Sequence, residues 1–236
     1  MAQRSGGICE SYIAMLWGSR GWQNLYKVSS VFRKRWAMLT RDLISSLVID
    51  TLLEQTRGQN IAVLALYCDY QAQKAQSAVN MIGGLLRQLT LGAPRVPGEI
   101  KISFEESKRG GCQGLRLPDM VKLFIRAISS IDLVYLCVDA VDEVLQQYRP
   151  EFFHALHQII QDAANVRLFL TGRPYICGEA DKHLMKGAYI IQIVADQEDI
   201  TQYLSQRTND EQDPDLMTEC LRSDIMKTML EKTSGM

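Results

Sequence analysis

The stretch "LVYLCVDAVDE", Leu133–Glu143, decides the fold class of this 236-residue chain. It opens with a continuous apolar run and closes on three carboxylates, at Asp139, Asp142 and Glu143. A strand that is apolar without alternation is buried on both faces, which is typical of a parallel sheet covered by helices. The stretch therefore predicts a buried strand that brings acidic side chains to the carboxyl edge of such a sheet.

The rest of the chain alternates between strand-like and helix-like patterns. Apolar runs predict three more strands, at 61–70, 166–174 and 188–194. Helical periodicity predicts intervening or preceding helices at 43–55, 78–90, 118–128 and 150–164. Strands separated by helices of this length require crossover connections. We therefore predict an α/β fold with three layers, in which a mostly parallel sheet carries helices on both faces and is followed by a C-terminal helical lid.

Composition narrows the class of protein and of partner. The chain is 47% hydrophobic and 22% charged with a formal net charge of -1, which gives no indication of nucleic-acid binding. No apolar run reaches the roughly 20 residues that a membrane span needs. Its six cysteines are scattered without a C-x-x-C pair, which favours reduced thiols in a cytoplasmic protein over disulfides or a zinc site.

His154 and His157 have no third ligand nearby in the sequence and are interpreted as helix-surface residues.

Residues 1–42 form a basic N-terminal arm, with seven basic residues against two acidic ones. We expect this arm to be poorly ordered. Two other interpretations stay open, an interaction tail for an acidic partner and an organelle-targeting segment.

Polar side chains follow two of the predicted strands at their carboxyl ends. Asp139 is a candidate metal ligand, and Asp142 and Glu143 are candidate bases for activating water. In "FLTGRP" the hydroxyl of Thr171 and the guanidinium of Arg173 are donors suited to a phosphate oxygen. Taken singly, an acid after a strand is often only a helix N-cap, and an arginine before proline is often only a surface turn residue. Their combination, separated by one helix, is more specific.

These motifs resemble those of a known family. "YLCVDAVDE" is similar to the Walker B strand, and "LFLTGRP" to the sensor strand, of the NACHT-type signal-transduction NTPases. The resemblance is to their nephrocystin-like N-terminal module, which is common in fungal proteins with ankyrin or other repeats. Supporting similarities lie in "ISSLVIDTL", "IAVLALYCDY" and "IIQIVADQEDITQYL". The resemblance implies a fold of the P-loop NTPase type, with a core at 43–196 and a lid at 197–236 that is the truncated start of a following helical region.

The resemblance also implies roles for the site residues. Asp139 would hold Mg²⁺, Asp142 or Glu143 would polarise the attacking water, and Thr171 and Arg173 would contact the nucleotide, with Arg173 sensing its γ-phosphate. The implied cofactor is Mg²⁺ with ATP or GTP. Nucleotide exchange in this family acts as a conformational switch and promotes self-association or binding of protein partners.

The phosphate loop of the family has no clear counterpart in the sequence. In the register of "ISSLVIDTL", the pattern G-x-x-x-x-G-K-[ST] falls on "RWAMLTRD", residues 35–42, where Thr40, Arg41 and Asp42 replace the second glycine, the lysine and the hydroxyl. Glycine freely adopts the positive φ values that such a loop requires. Two functions stay open: a degenerate module with little or no hydrolysis that acts as a scaffold or regulatory segment, and a working nucleotide switch in which Arg41 completes the site.

Overall fold

The computed structural model describes residues 12–17, 41–92, 115–184, 188–193, 201, 205 and 218–234. Its centre is a five-stranded sheet with the order β2-β3-β4-β1-β5. The strands are β1 (Tyr12–Trp17), β2 (Ile61–Tyr67), β3 (Leu133–Asp139), β4 (Val166–Gly172) and β5 (Tyr189–Ile193). The helices are α1 (Arg41–Gln55), α2 (Ala78–Gly92), α3 (Leu117–Ile128), α4 (Arg149–Asp162), α5 (Ile176–His183) and α6 (Glu219–Ser234). Short 3-10 helices lie at Tyr70–Ala75 and Val141–Glu143.

Three neighbouring strands of the sheet are parallel. β2 pairs with β3 from Ile61 opposite Leu133 to Tyr67 opposite Asp139, and β3 pairs with β4. Helices connect these strands, as crossover connections require. The predicted α/β fold with helices flanking a parallel sheet is confirmed, and all four predicted strands are present.

Helices cover both faces of the sheet, and the alternation of side chains divides the core accordingly. On one face α2, α3 and α4 pack on residues such as Leu136 and Leu168, which are fully buried. On the other face α1 packs through Val48, Ile49 and Leu52 on three residues of β3 and β4, namely Tyr135, Cys137 and Phe169. Burial on both faces explains the continuous apolar sequence of β3.

β1 was not predicted, and it lies within residues 1–42. The run "YIAMLW" forms a strand between β4 and β5, so the sheet begins before residue 43 and the basic arm is not wholly outside it. The strand is rich in β-forming residues, but it was not recognised in the sequence because it is short and lies in a basic segment. β1 is antiparallel to both neighbours, which makes it the one reversed strand of the described sheet.

The remaining parts of the chain are less fully described. Helix α5 follows β4 and was not predicted, because "ICGEADKH" has little apolar periodicity. Helix α6 falls within the predicted lid at 197–236, most of 194–217 lies outside the described residues, and the lid itself stays a prediction. Among the described helices, none is long and apolar enough to cross a membrane.

Candidate functional site

The carboxyl edge of the parallel strands brings together most of the predicted site residues. Asp139 is the last residue of β3, and Thr171 is the penultimate residue of the neighbouring β4. The hydroxyl of Thr171 donates to Oδ1 of Asp139 at 2.5 Å and accepts the backbone N–H of Ala140 at 3.0 Å. Parallel register therefore converts two motifs 32 residues apart into one hydrogen-bonded pair.

A third residue, Ser45 on α1, joins this pair. Its hydroxyl also donates to Oδ1 of Asp139. The three side chains, which we call the Ser45–Asp139–Thr171 cluster, are buried, with exposed fractions of 1%, 5% and 2%. The sequence did not point to Ser45, because the hydroxyl residue of the phosphate-loop pattern was expected at position 42, where Asp42 stands. The available signal was a serine on the apolar face of a helix that packs on the sheet.

Asp142 and Arg173 form an ion pair beside the cluster. Nε of Arg173 lies 3.3 Å from Oδ2 of Asp142, whose side chain is only 3% exposed, whereas that of Arg173 is 41% exposed. Gly172 favours this approach, because a Cβ at that position would lie 3.3 Å from Val141 and 3.4 Å from Oδ1 of Asp142, closer than ordinary contact. Arg173 is therefore not an isolated surface turn residue.

Glu143 is fixed to the segment that follows β2. Its Oε2 accepts the backbone N–H of Tyr70 at 2.9 Å, and its carbonyl accepts Nε2 of Gln73 at 2.8 Å. Ala140 allows the chain to turn from β3 into this position by adopting a left-handed conformation with φ 54. The carboxylate of Glu143 thus has a structural partner as well as a place at the edge.

The negative charge at this edge affects the thiol of Cys68, which follows β2. Burial, followed by the negative charges of Asp139 and Asp142, raises the pKa of the Cys68 thiol to about 12. Its backbone N–H donates to the carbonyl of Asp139 at 3.0 Å. Cys68 therefore lies against the acids as a neutral thiol, without the character of a nucleophile.

The direction of β1 determines how the chain enters the site. Ile13 lies opposite Gly172 and Trp17 opposite Leu168, so β1 starts at the carboxyl edge and runs away from it. Helix α1 nevertheless starts at that edge, since Ser45 in its second turn contacts Asp139. In a phosphate-loop protein, by contrast, a strand leads directly through the loop into the helix. Here residues 18–40 intervene, and they lie outside the described residues.

Arg41 is the first residue of α1, and Asp42 is the second. The other six positions in the register of the expected loop lie outside the described residues. Among the residues that the structure describes, no three His, Cys, Asp or Glu side chains form a group that could hold a metal ion.

The family relationship of the chain lies in its region from α1 to β4. The model of the N-terminal region of nephrocystin 3 matches residues 42–173, which is 132 of the 236 residues. The chain belongs to this nephrocystin 3 N-terminal family. The family match runs from the second residue of α1 to Arg173, so it contains the Ser45–Asp139–Thr171 cluster and the Asp142–Arg173 pair. Among curated proteins and among solved structures, none matches the chain.

Proposed function

We propose that this nephrocystin 3 N-terminal family member is a degenerate NACHT-like signalling NTPase module. It acts in the cytoplasm as a scaffold or regulatory segment and hydrolyses little or no nucleotide. The observation that carries this proposal is the reversed direction of β1. This strand starts at the carboxyl edge, where Asp139 lies, and ends towards the other edge of the sheet. A strand that ends there cannot lead directly into a phosphate loop at the start of α1.

The sequence of the expected loop supports the same conclusion. Residues 35–42 contain no glycine, and in the sequence register of the expected loop Trp36, Met38 and Asp42 stand at positions where the family's backbone wraps the phosphates. Each bulky residue held in a left-handed conformation costs on the order of 1–3 kcal/mol. Asp42 would add repulsion between its carboxylate and the phosphates. These residues do not fit a triphosphate.

The hydrogen bonds of Asp139 supply a different role for the acid. Two hydroxyls, from Ser45 on α1 and Thr171 on β4, donate to the same carboxylate oxygen. A buried carboxylate is stabilised by such donors, and removing them leaves an acceptor without its partners. Asp139 therefore serves to fix α1 to the sheet, a role that requires no nucleotide.

Nucleotide binding is the direct test. Purified protein would be titrated with fluorescent ATP and GTP analogues up to about 1 mM, with and without Mg²⁺, beside Asp139→Asn. We expect no saturable binding that depends on Mg²⁺ or on Asp139. Magnesium-dependent hydrolysis that is abolished by Glu143→Gln would overturn the proposal, because Glu143 would then be acting on water.

The second candidate function is a working ATP- or GTP-dependent switch that drives self-association. Two observations favour it: the start of α1 lies at the acidic edge, and the guanidinium of Arg173 is partly exposed there. This function requires that Arg41→Ala and Asp139→Asn each abolish nucleotide binding. Binding that survives both substitutions would exclude it, and binding that each substitution abolishes would favour it over the scaffold.

A further inference from the structure

β2 is an outer strand of the described sheet, because it pairs with β3 on one side and stands first in the strand order. An outer strand offers a row of backbone N–H and C=O groups to any other strand that approaches it. Its sequence, "IAVLALY", contains no charged residue and no proline. The strand itself therefore carries none of the side chains that commonly prevent pairing between edges.

The side chain of Gln88 on α2 occupies part of this edge. Its Nε2 donates to the carbonyl of Ala65 at 2.7 Å, and its Oε1 accepts the N–H of Ala65 at 3.0 Å. A glutamine amide presents the same donor and acceptor as a peptide group. At Ala65, Gln88 therefore makes the two hydrogen bonds that a neighbouring strand would make.

The packing of α2 explains how Gln88 reaches the edge. Gly84 precedes Gln88 by four residues, so both lie on the same side of the helix. A Cβ on Gly84 would lie 3.7 Å from Cδ2 of Leu66 on β2, an ordinary van der Waals distance, so this side of the helix packs on the strand. This packing places Gln88 where its amide bonds the backbone of β2.

We propose that Gln88 closes the β2 edge against pairing with a second copy of this chain. The edge is the same on each copy, so two β2 strands pair antiparallel about a two-fold axis, and such a contact is self-complementary. The amide of Gln88 prevents this by holding both backbone groups of Ala65. The β2 edge is thus a latent self-association surface that the Gln88 amide keeps closed.

The test compares three variants of the full chain by sedimentation equilibrium. Gln88→Leu removes the amide, and we expect it to strengthen self-association by about tenfold or more over the unsubstituted protein. Gln88→Lys also removes the amide but places at the edge the charge that natural proteins use against pairing, so we expect no increase. Arg87→Leu adds the same apolar residue at the exposed neighbouring position, and we again expect no increase.

Three results would overturn the proposal. The first is self-association of Gln88→Leu that equals that of the unsubstituted protein. The other two are self-association of Arg87→Leu, or of Gln88→Lys, that is as strong as that of Gln88→Leu. Hydrogen exchange supplies a readout that does not depend on Gln88→Leu folding. The amide of Ala65 should exchange about tenfold faster in Gln88→Lys than in the unsubstituted protein, and equal rates would mean that Gln88 does not hold the edge.

Discussion

The hydroxyl of Ser45 and the carboxylate of Asp139 are joined by a hydrogen bond across 94 residues of the chain. The bond connects the second turn of α1 to the last residue of β3, and it lies in the buried part of the carboxyl edge. The same oxygen of Asp139 accepts the hydroxyl of Thr171. One carboxylate therefore ties a helix and two strands together.

Ser45→Ala should lower the stability of the protein. The substitution removes one of two hydroxyl donors to a buried carboxylate, which costs about 1–3 kcal/mol. Thermal unfolding should show a melting temperature lower by about 2–4 °C for each kcal/mol. Ser130→Ala, at an exposed serine, is the control and should leave the melting temperature unchanged. Equal effects at the two serines would contradict a structural role for the Ser45 bond.

Thr171→Val should be more costly than Ser45→Ala. Thr171 both donates to Asp139 and accepts from the backbone N–H of Ala140, so the valine removes one of the two hydroxyl donors to Asp139 and leaves the buried N–H of Ala140 unsatisfied, at a cost of at least about 2 kcal/mol. Thr171→Ser keeps the hydroxyl and loses only a methyl group, about 1 kcal/mol. Urea unfolding of both variants measures the difference. A serine as destabilising as the valine would mean that the methyl group, not the hydroxyl, is what matters.

Gly172 and Gly178 should respond in opposite directions to substitution by alanine. At Gly172 a Cβ would lie 3.3 Å from Val141 and 3.4 Å from both Asp142 and Ile176, so overpacking should cost about 1–3 kcal/mol. At Gly178, within α5, nothing lies within 4 Å, so alanine should stabilise the helix by about 0.5–1 kcal/mol. Denaturant titration of each variant tests this. A neutral Gly172→Ala would show that the turn after β4 can move.

Arg173→Ala should destabilise the protein through Asp142. The carboxylate of Asp142 is almost fully buried and would lose its ion pair with Nε of Arg173. Because the arginine is itself partly exposed, we expect a loss of only about 1–2 kcal/mol. Asp142→Asn combined with Arg173→Ala should cost less than the sum of the two single changes, since both break one interaction. Strict additivity in this double-mutant cycle would show that the pair is not coupled.

The buried thiols should make stability fall at alkaline pH. Burial raises the pKa of Cys68 and of Cys137 from 9.0 to about 12. The unfolded chain releases each proton above pH 9, whereas the folded protein holds it until about pH 12. Stability from each thiol is therefore complete below pH 9 and is lost as the pH rises towards 12, by about 1.4 kcal/mol per pH unit.

Cys68→Ala should remove about half of this contribution from the two thiols. The measurement is the free energy of unfolding at pH 8 and at pH 10 for the variant and for Cys220→Ala, whose cysteine is exposed. Cys220→Ala should keep the pH dependence of the unsubstituted protein. An unchanged pH dependence in Cys68→Ala would show that its thiol is not protonated more strongly in the folded state.

The sequence determined the parallel part of the fold and most of the residues at its carboxyl edge. A continuous apolar run can only be accommodated where both faces of a strand are covered, so β2, β3 and β4 and the helices between them could be recognised locally. Because the carboxyl ends of parallel strands share one edge, the acids after β3 and the Thr171–Arg173 motif after β4 could also be placed together. Helix α5 was not predicted, because it has too little apolar periodicity to be distinguished from a loop.

Only the tertiary structure decided three features: the direction of β1, the hydrogen bond of Ser45 to Asp139, and the hydrogen bonds between Gln88 and Ala65. Each depends on groups far apart in the chain, and no local pattern records which way a six-residue strand runs or which hydroxyl a helix turns towards a sheet. Hydrophobic patterning specifies which side chains are buried, because burial is non-directional. Strand direction and hydrogen-bond partners are directional, so they are fixed only when the packed elements bring donor and acceptor into line.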